Sequence, residues 1–315
     1  MRKTYHICLS SHSEVMYRSE EDLNYGFNCF AVAALDTESR ALADSFLPDH
    51  EHLGACTDAP EELIRRKRIS YTRYFNAKYE RTGKLGERNP FILELEGVRH
   101  QTTALSYIYR QALHHGLVSI PYAYKHSSVN VIFREEMGKP LCIEQLRAKH
   151  KRDYLPHPIP ETYRMCKNGL LLRDDIIDSA IVQEMYVTPR NFNFQMTRFS
   201  GEEWEREQEE DRSCRPPVCL GNVEPGANAV LVRQMLLNEK GRVDKSSFTD
   251  LELCEYIDNV CVPDILKRGS PEKSSVYLLN QSQRRNLGND LWRAMKRHEI
   301  KRLSDYQLRK CLVIE

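Results

Sequence analysis

Two histidines one residue apart, in Pro48-Asp49-His50-Glu51-His52-Leu53, constrain this chain more than any other stretch. Side chains at i and i+2 of a β-strand stand on the same face. On a strand, His50 and His52 present two imidazoles side by side, as a strand does when it offers two ligands to one metal ion. Taken alone, the pair fits two half-exposed strand histidines better than a metal site.

A helical stretch some fifty residues downstream narrows the choice. Residues 102–116 read as a helix, with Leu105, Ile108, Ala112 and His115 on one face and Gly116 as the stop. Tyr107 and Gln111 are four apart and so are neighbours on the helix surface. Two imidazoles and an amide oxygen can hold a cation, and a phenol can act as nucleophile. Tyr109 lies about 200° further round the helix and cannot share the position of Tyr107. His114 and His115 read as helix-end residues near the negative end of the dipole.

With these residues in view, the chain resembles the single-tyrosine HUH nucleases of single-stranded DNA, the IS200-like transposases, and above all the REP-associated tyrosine transposases. That family has His-hydrophobic-His on a central strand. A helix some fifty residues later carries the catalytic tyrosine and, four residues on, an Asn or Gln. His50, His52, Tyr107 and Gln111 match those positions. Tyr5-His6-Ile7, residues 71–76 with Gly83, Gly116-Leu117-Val118 and residues 124–128 extend the likeness over about residues 1–130. The departure is Glu51, where the family has an apolar residue. The resemblance implies Tyr107 as nucleophile, His50, His52 and Gln111 as ligands of Mg²⁺ or Mn²⁺, and a 5′-phosphotyrosine intermediate at hairpin-flanked sites. It implies a bacterial transposase-like endonuclease and strand transferase, with single-stranded or hairpin DNA as partner, working as a monomer or homodimer.

The order of elements gives a fold class. Strands are expected at 5–9, 40–47, 50–55 and 91–95, with helices opening at Ser19 and at Asp58-Pro60, before the Tyr107 helix. That order, β-α-β-β-α-β then α, predicts an α+β domain with a ferredoxin-like sheet and helices on one face. The chain divides into residues 1–130 as the HUH nuclease domain, 131–200 as a helical extension, 201–226 as a linker and 227–315 as a mainly helical, basic region. Helices are expected at 144–151 and 170–185. Asp174, Asp175 and Asp178 on the second complement its dipole rather than a metal. Phe192, Phe194 and Phe199 read as packing residues. Residues 282–296 and 304–312 suggest a helix-turn-helix-like unit, or a basic helix pair packed on the first domain.

Charge is informative only where it clusters. The net charge is +1, but residues 65–88 hold nine basic residues against two acidic ones, interleaved with Tyr71, Tyr74, Phe75 and Tyr79. Cations that track phosphates and rings that stack on bases suit single-stranded DNA. The residues expected to bind it are Arg65, Arg66, Arg68, Arg73, Lys78, Arg81 and Lys84. Ten scattered cysteines without a C-x-x-C argue for a reduced chain and against a zinc ribbon. No apolar run is long enough to span a membrane, and the start lacks an apolar signal core, which predicts a cytoplasmic protein. Two other functions fit the same residues. One is a DNA-binding protein that keeps the fold without the chemistry, suggested by Glu51. The other is a metallohydrolase using the histidines with Asp49 or Glu51 and a water nucleophile.

Overall fold

A computed structural model of the chain describes residues 2–139, 141, 144–147, 150–197, 246–266 and 274–314. The first half builds a four-stranded antiparallel sheet: β1 (Lys3–Ser10), β2 (Arg40–Phe46), β3 (His50–Thr57) and β4 (Phe91–Leu95). Their order in space is β2-β3-β1-β4, so β1 and β3 are the two central strands. Helix α1 (Glu20–Asp36) joins β1 to β2, and α2 (Pro60–Tyr79) joins β3 to β4.

Local sequence explains these boundaries. Ser19 and Asp22 close a capping box at the start of α1, and Leu23, Phe27, Phe30 and Ala34 form its buried stripe. Pro60 opens α2, where its missing N–H costs nothing, and Glu80 ends it in the left-handed region at φ 54°. Leu63, Lys67, Tyr71, Phe75 and Tyr79 recur every four residues on the buried side of α2. Burying a lysine on that stripe calls for a partner, and Glu51 of β3 supplies it.

Helices cover both faces of the sheet rather than one. Helices α1 and α2 pack together on the face of Glu51 and Leu53. The next helix, α3 (Gly97–Tyr109), lies on the opposite face and touches all four strands. Gly54 lets it approach: a Cβ there would stand 2.9 Å from Cδ2 of Leu105. The expected helix over 102–116 is therefore two pieces, α3 and the single turn α4 (Gln111–His114), with Arg110 between them at φ −95°, ψ 2°.

The core around the sheet does not stop at residue 130. Val131, Ile132, Phe133, Leu171, Ile177, Val182, Phe192 and Met196 all belong to it. Residues 144–147, the described start of the helix expected at 144–151, are not helical, and Gln145 there forms an isolated bridge with Cys166. The single turn α5 (Lys151–Tyr154) comes next. The helix expected at 170–185 is confined to α6 (Ser179–Tyr186), and α7 (Pro189–Thr197) comes after it. Phe192 is buried, Phe194 is exposed, and Phe199 lies outside the described residues, as does the linker expected at 201–226.

A second apolar cluster forms around α8 (Asp250–Tyr256), α9 (Val262–Leu266), α10 (Gln281–Lys296) and α11 (Asp305–Leu312). Between α8 and α9 runs a π turn, Ile257–Cys261, that carries Asp258. Asp258 makes a buried bidentate ion pair with Arg18 at 2.7 and 3.0 Å, and Arg18 also donates to the carbonyl of Cys311. The helical region is thereby pinned to the loop after β1, and α10 and α11 match the expected helix pair. No helix among the described residues is long and apolar enough to cross a membrane.

Candidate active site

The antiparallel register of β1 and β3 sets His6 opposite Gly54, Cys8 opposite His52 and Ser10 opposite His50. His50, His52 and Gly54 alternate onto the α3 face, and His6 joins them from β1. The His6 and His52 rings stack with centroids 5.1 Å apart, and one nitrogen donates to the other between His6 Nε2 and His52 Nδ1, at 2.9 Å. His50 Nδ1 lies 2.6 Å from Asp49 Oδ1. Each strand histidine thus has its Nδ1 oriented by a neighbour, which directs Nε2 to any ligand bond, as is usual for metal-binding imidazoles.

Tyr107 faces these rings from α3. Its ring centroid lies 5.6 Å from that of His52 and 6.3 Å from that of His6. The residue is 3% exposed. Gln111, one turn on, is fully buried; its Nε2 donates to the Tyr107 carbonyl at 3.3 Å. Its amide oxygen accepts no hydrogen bond among the described residues. A buried amide oxygen left in that state is one a cation would satisfy. Among the described residues no three His, Cys, Asp or Glu side chains are grouped to hold a metal.

Sequence reasoning missed several members of the neighbourhood. His6 was only part of a strand signature, and its contact with His52 depends on strand pairing. His114 and His115 read as helix-end residues, yet the His114 ring lies 5.4 Å from Tyr107 and the His115 ring 4.6 Å from His50. His114 is the buried one and His115 the exposed one, the reverse of a helix presenting His115 inward. Tyr109 is a core residue whose hydroxyl donates to the Leu42 carbonyl at 2.9 Å, at the bulge of β2.

The C-terminal helix closes one side. Lys310 of α11 pairs with Asp49 Oδ2, on the carboxylate that also holds His50. Burial alone would raise the Asp49 carboxyl, but the charges of His50 and Lys310 and their hydrogen bonds outweigh it and hold the group well below the carboxylate range. Burial lowers Lys310, and Asp49 more than restores it, so its pKa is raised. A cavity of about 460 Å³ opens beside this pair, with His50, His115, Arg88, Asn89 and Tyr306 in its wall.

Glu51 points away from all of this. Its side chain is fully buried on the α2 face, where Lys67 Nζ and the Tyr17 hydroxyl both donate to Oε2. Lys67 also lies 5.0 Å from the Tyr71 ring centroid. The charge of Glu51 is therefore matched by a lysine on the face of the sheet opposite the histidines.

The basic stretch divides by role. Lys78 binds Asp22 and Glu21, and Arg81 binds Glu14, so both are tied into the fold. Arg65 and Arg66 share Glu62, and Arg68 donates to the carbonyls of Leu85, Gly86 and Arg88. Arg65, Arg68, Arg73, Lys84 and Arg88 line a groove of about 530 Å³ between α2 and the 83–90 loop. The interleaved aromatics are not stacking platforms: Tyr71, Phe75 and Tyr79 are core residues, and Tyr74 stacks on Tyr25 at 3.8 Å. Asp174 and Asp175 pair with Arg134 and Arg164, and Asp178 caps α6, which accounts for all three without a metal.

No family model and no curated protein matches this chain. Among solved structures it is similar to a REP-associated tyrosine transposase bound to a REP hairpin, at 14% identity and a TM-score of 0.36. The match covers 44% of this chain and 82% of that one. A likeness of that size says nothing about activity.

Proposed function

We propose that this chain is a metal-dependent, transposase-like endonuclease and strand transferase of single-stranded DNA, with Tyr107 as nucleophile on a ferredoxin-like βαββαβ sheet. The observation that carries the proposal is the meeting of His50, His52 and Tyr107 on one side of the sheet, with the Gln111 amide oxygen one helical turn away. The strand order β2-β3-β1-β4, with α1 and α2 as the crossovers, supports the fold assignment.

His50, His52 and Gln111 would hold the ion, Mg²⁺ or Mn²⁺. Such an ion polarises a phosphate oxygen and stabilises the charge that develops on it. Asp49 and His6 fix the two imidazoles. The Tyr107 oxygen attacks phosphorus, the bond to the 3′ oxygen breaks, and the phenolic proton ends on the released 3′-OH. The products are a 5′-phosphotyrosine and a free 3′-OH, which can attack the link in reverse and rejoin strands. Because Tyr107 is 3% exposed, a scissile phosphate reaches its hydroxyl only if the side chains around it move. Arg65, Arg68, Arg73 and Lys84 guide the strand along the groove beside α2.

The burial of Tyr107 is the one observation favouring a DNA-binding protein without chemistry. Glu51 no longer favours it, since Lys67 answers its charge. The metallohydrolase alternative loses both its carboxylates: Asp49 serves His50 and Lys310, and Glu51 sits on the other face. A labelled hairpin-flanked single strand tests the proposal. Cutting is expected in Mg²⁺ or Mn²⁺, is abolished by a chelator, and falls at least 100-fold in His50→Ala and His52→Ala, the scale set by removing a metal's charge stabilisation. Cutting that persists in chelator would remove the metal from the mechanism.

A further inference from the structure

The cavity beside His50 has a wall that the nuclease reading does not use. Tyr306 of α11 is 59% exposed and lines it, with Lys310 Nζ 5.2 Å from its ring centroid and 3.2 Å from its hydroxyl. Across from α11 the 83–90 loop contributes Glu87, Arg88 and Asn89, all exposed. Resting on the proposal that this chain acts on single-stranded DNA, we infer that this cavity seats one unpaired nucleotide of the substrate, with its base stacked on Tyr306.

Four features converge on that ligand. The volume of about 460 Å³ falls in the range of roughly 300–1,000 Å³ typical of small-ligand pockets. Tyr306 leaves aromatic surface in solvent at the cavity rim, and every base has a π-face to stack on it. The charges nearly balance, Arg88 and Lys310 against Asp49 and Glu87, so the cavity is not a plain anion site. It has a cation for a phosphate and, in Glu87 and Asn89, a carboxylate and an amide for a base edge. Finally, Arg88 lines both this cavity and the basic groove beside α2. A strand that runs along the groove around the 83–90 loop therefore arrives here, with His50 in the same wall. The helical C-terminal region thereby supplies a substrate contact that the sheet domain lacks.

The test uses the full chain and a hairpin-tailed single strand carrying 2-aminopurine at one unpaired position at a time, in EDTA so that no strand is cut. Stacking on a tyrosine quenches the probe. The wild type should quench one position strongly. Tyr306→Ala should lose that quench and weaken binding about 5- to 150-fold, the equivalent of one stacked base, while Tyr306→Phe retains both. Thermal unfolding of each variant confirms that it is folded, as expected for an exposed position. If the wild type binds the strand but Tyr306→Ala changes neither the quench nor the affinity, the nucleotide seat is wrong and the nuclease reading stands. If Tyr306→Phe behaves like Tyr306→Ala, the ring is not the platform and the inference falls. If the wild type binds no single strand at all, the underlying nucleic-acid reading falls, and the seat with it.

Discussion

Glu51 stands between the two histidines in sequence but serves the opposite face of the sheet. It is the partner of Lys67, and both side chains are fully buried. Replacing Glu51 by Val would strand the lysine charge in the core. We expect Glu51→Val to destabilise the fold by about 3–5 kcal/mol, and the double variant Glu51→Val, Lys67→Met to be neutral or more stable by about 1–4 kcal/mol. Chemical denaturation of both variants checks this; equal loss in the single and double variants would show that the pair is not coupled. His126 offers a pH signature at the same scale. Burial first, then the charges of Arg173 and Lys125, push its pKa down from 6.5 to about 3. The unfolded chain takes up this proton before the folded one does, so its contribution is complete above pH 6.5 and is lost as pH falls toward 3. The denaturation midpoint of His126→Asn should fall less over that interval than that of the wild type, and parallel curves would contradict the assignment.

At the level of elements, the basic stretch of α2 and the loop after it divides into exposed cations and cations tied into the fold. Arg73 and Lys84 are exposed in the groove, whereas Lys78 and Arg81 hold Asp22 and Glu14. Replacing Arg73 and Lys84 together by Ala should reduce the slope of log affinity against log salt for a single strand by about 1.4, near 0.7 per phosphate contact. Lys78→Ala should lower stability and leave the slope unchanged. An unaltered slope in the first variant would make the groove a plain solvated face. The same helix shows how far local sequence reaches. Its start at Pro60 and end at Tyr79 are legible from a proline, a charge run and four-residue periodicity. Periodicity also places Tyr71, Phe75 and Tyr79, but as core residues, because the apolar stripe of an amphipathic helix faces inward whatever cations flank it. Residues 131–197 are opaque in sequence for another reason. Ion pairs such as Arg134–Asp174, forty residues apart, tie them together, and such pairs leave no periodic trace.

Across the whole molecule, the candidate site draws on both apolar clusters. The sheet supplies His6, His50 and His52, α3 and α4 supply Tyr107 and Gln111, and α11 supplies Lys310 and Tyr306 from more than 250 residues beyond the histidines. The strand histidines and the Tyr107 spacing are legible in the sequence because they are local patterns. Lys310 is not, because its meeting with Asp49 depends on how the Arg18–Asp258 pair seats the helical region. In the proposed mechanism Tyr107 joins covalently to DNA. The most direct measurement is a denaturing gel of the full chain with a labelled hairpin-flanked single strand and Mn²⁺, run beside Tyr107→Phe, with a binding assay at the same salt. The mechanism predicts a shifted protein–DNA band for the wild type that maps to Tyr107, no such band for Tyr107→Phe, and DNA affinity nearly equal in the two. An adduct that survives in Tyr107→Phe, or strand cutting by the wild type with no adduct at all, would contradict it.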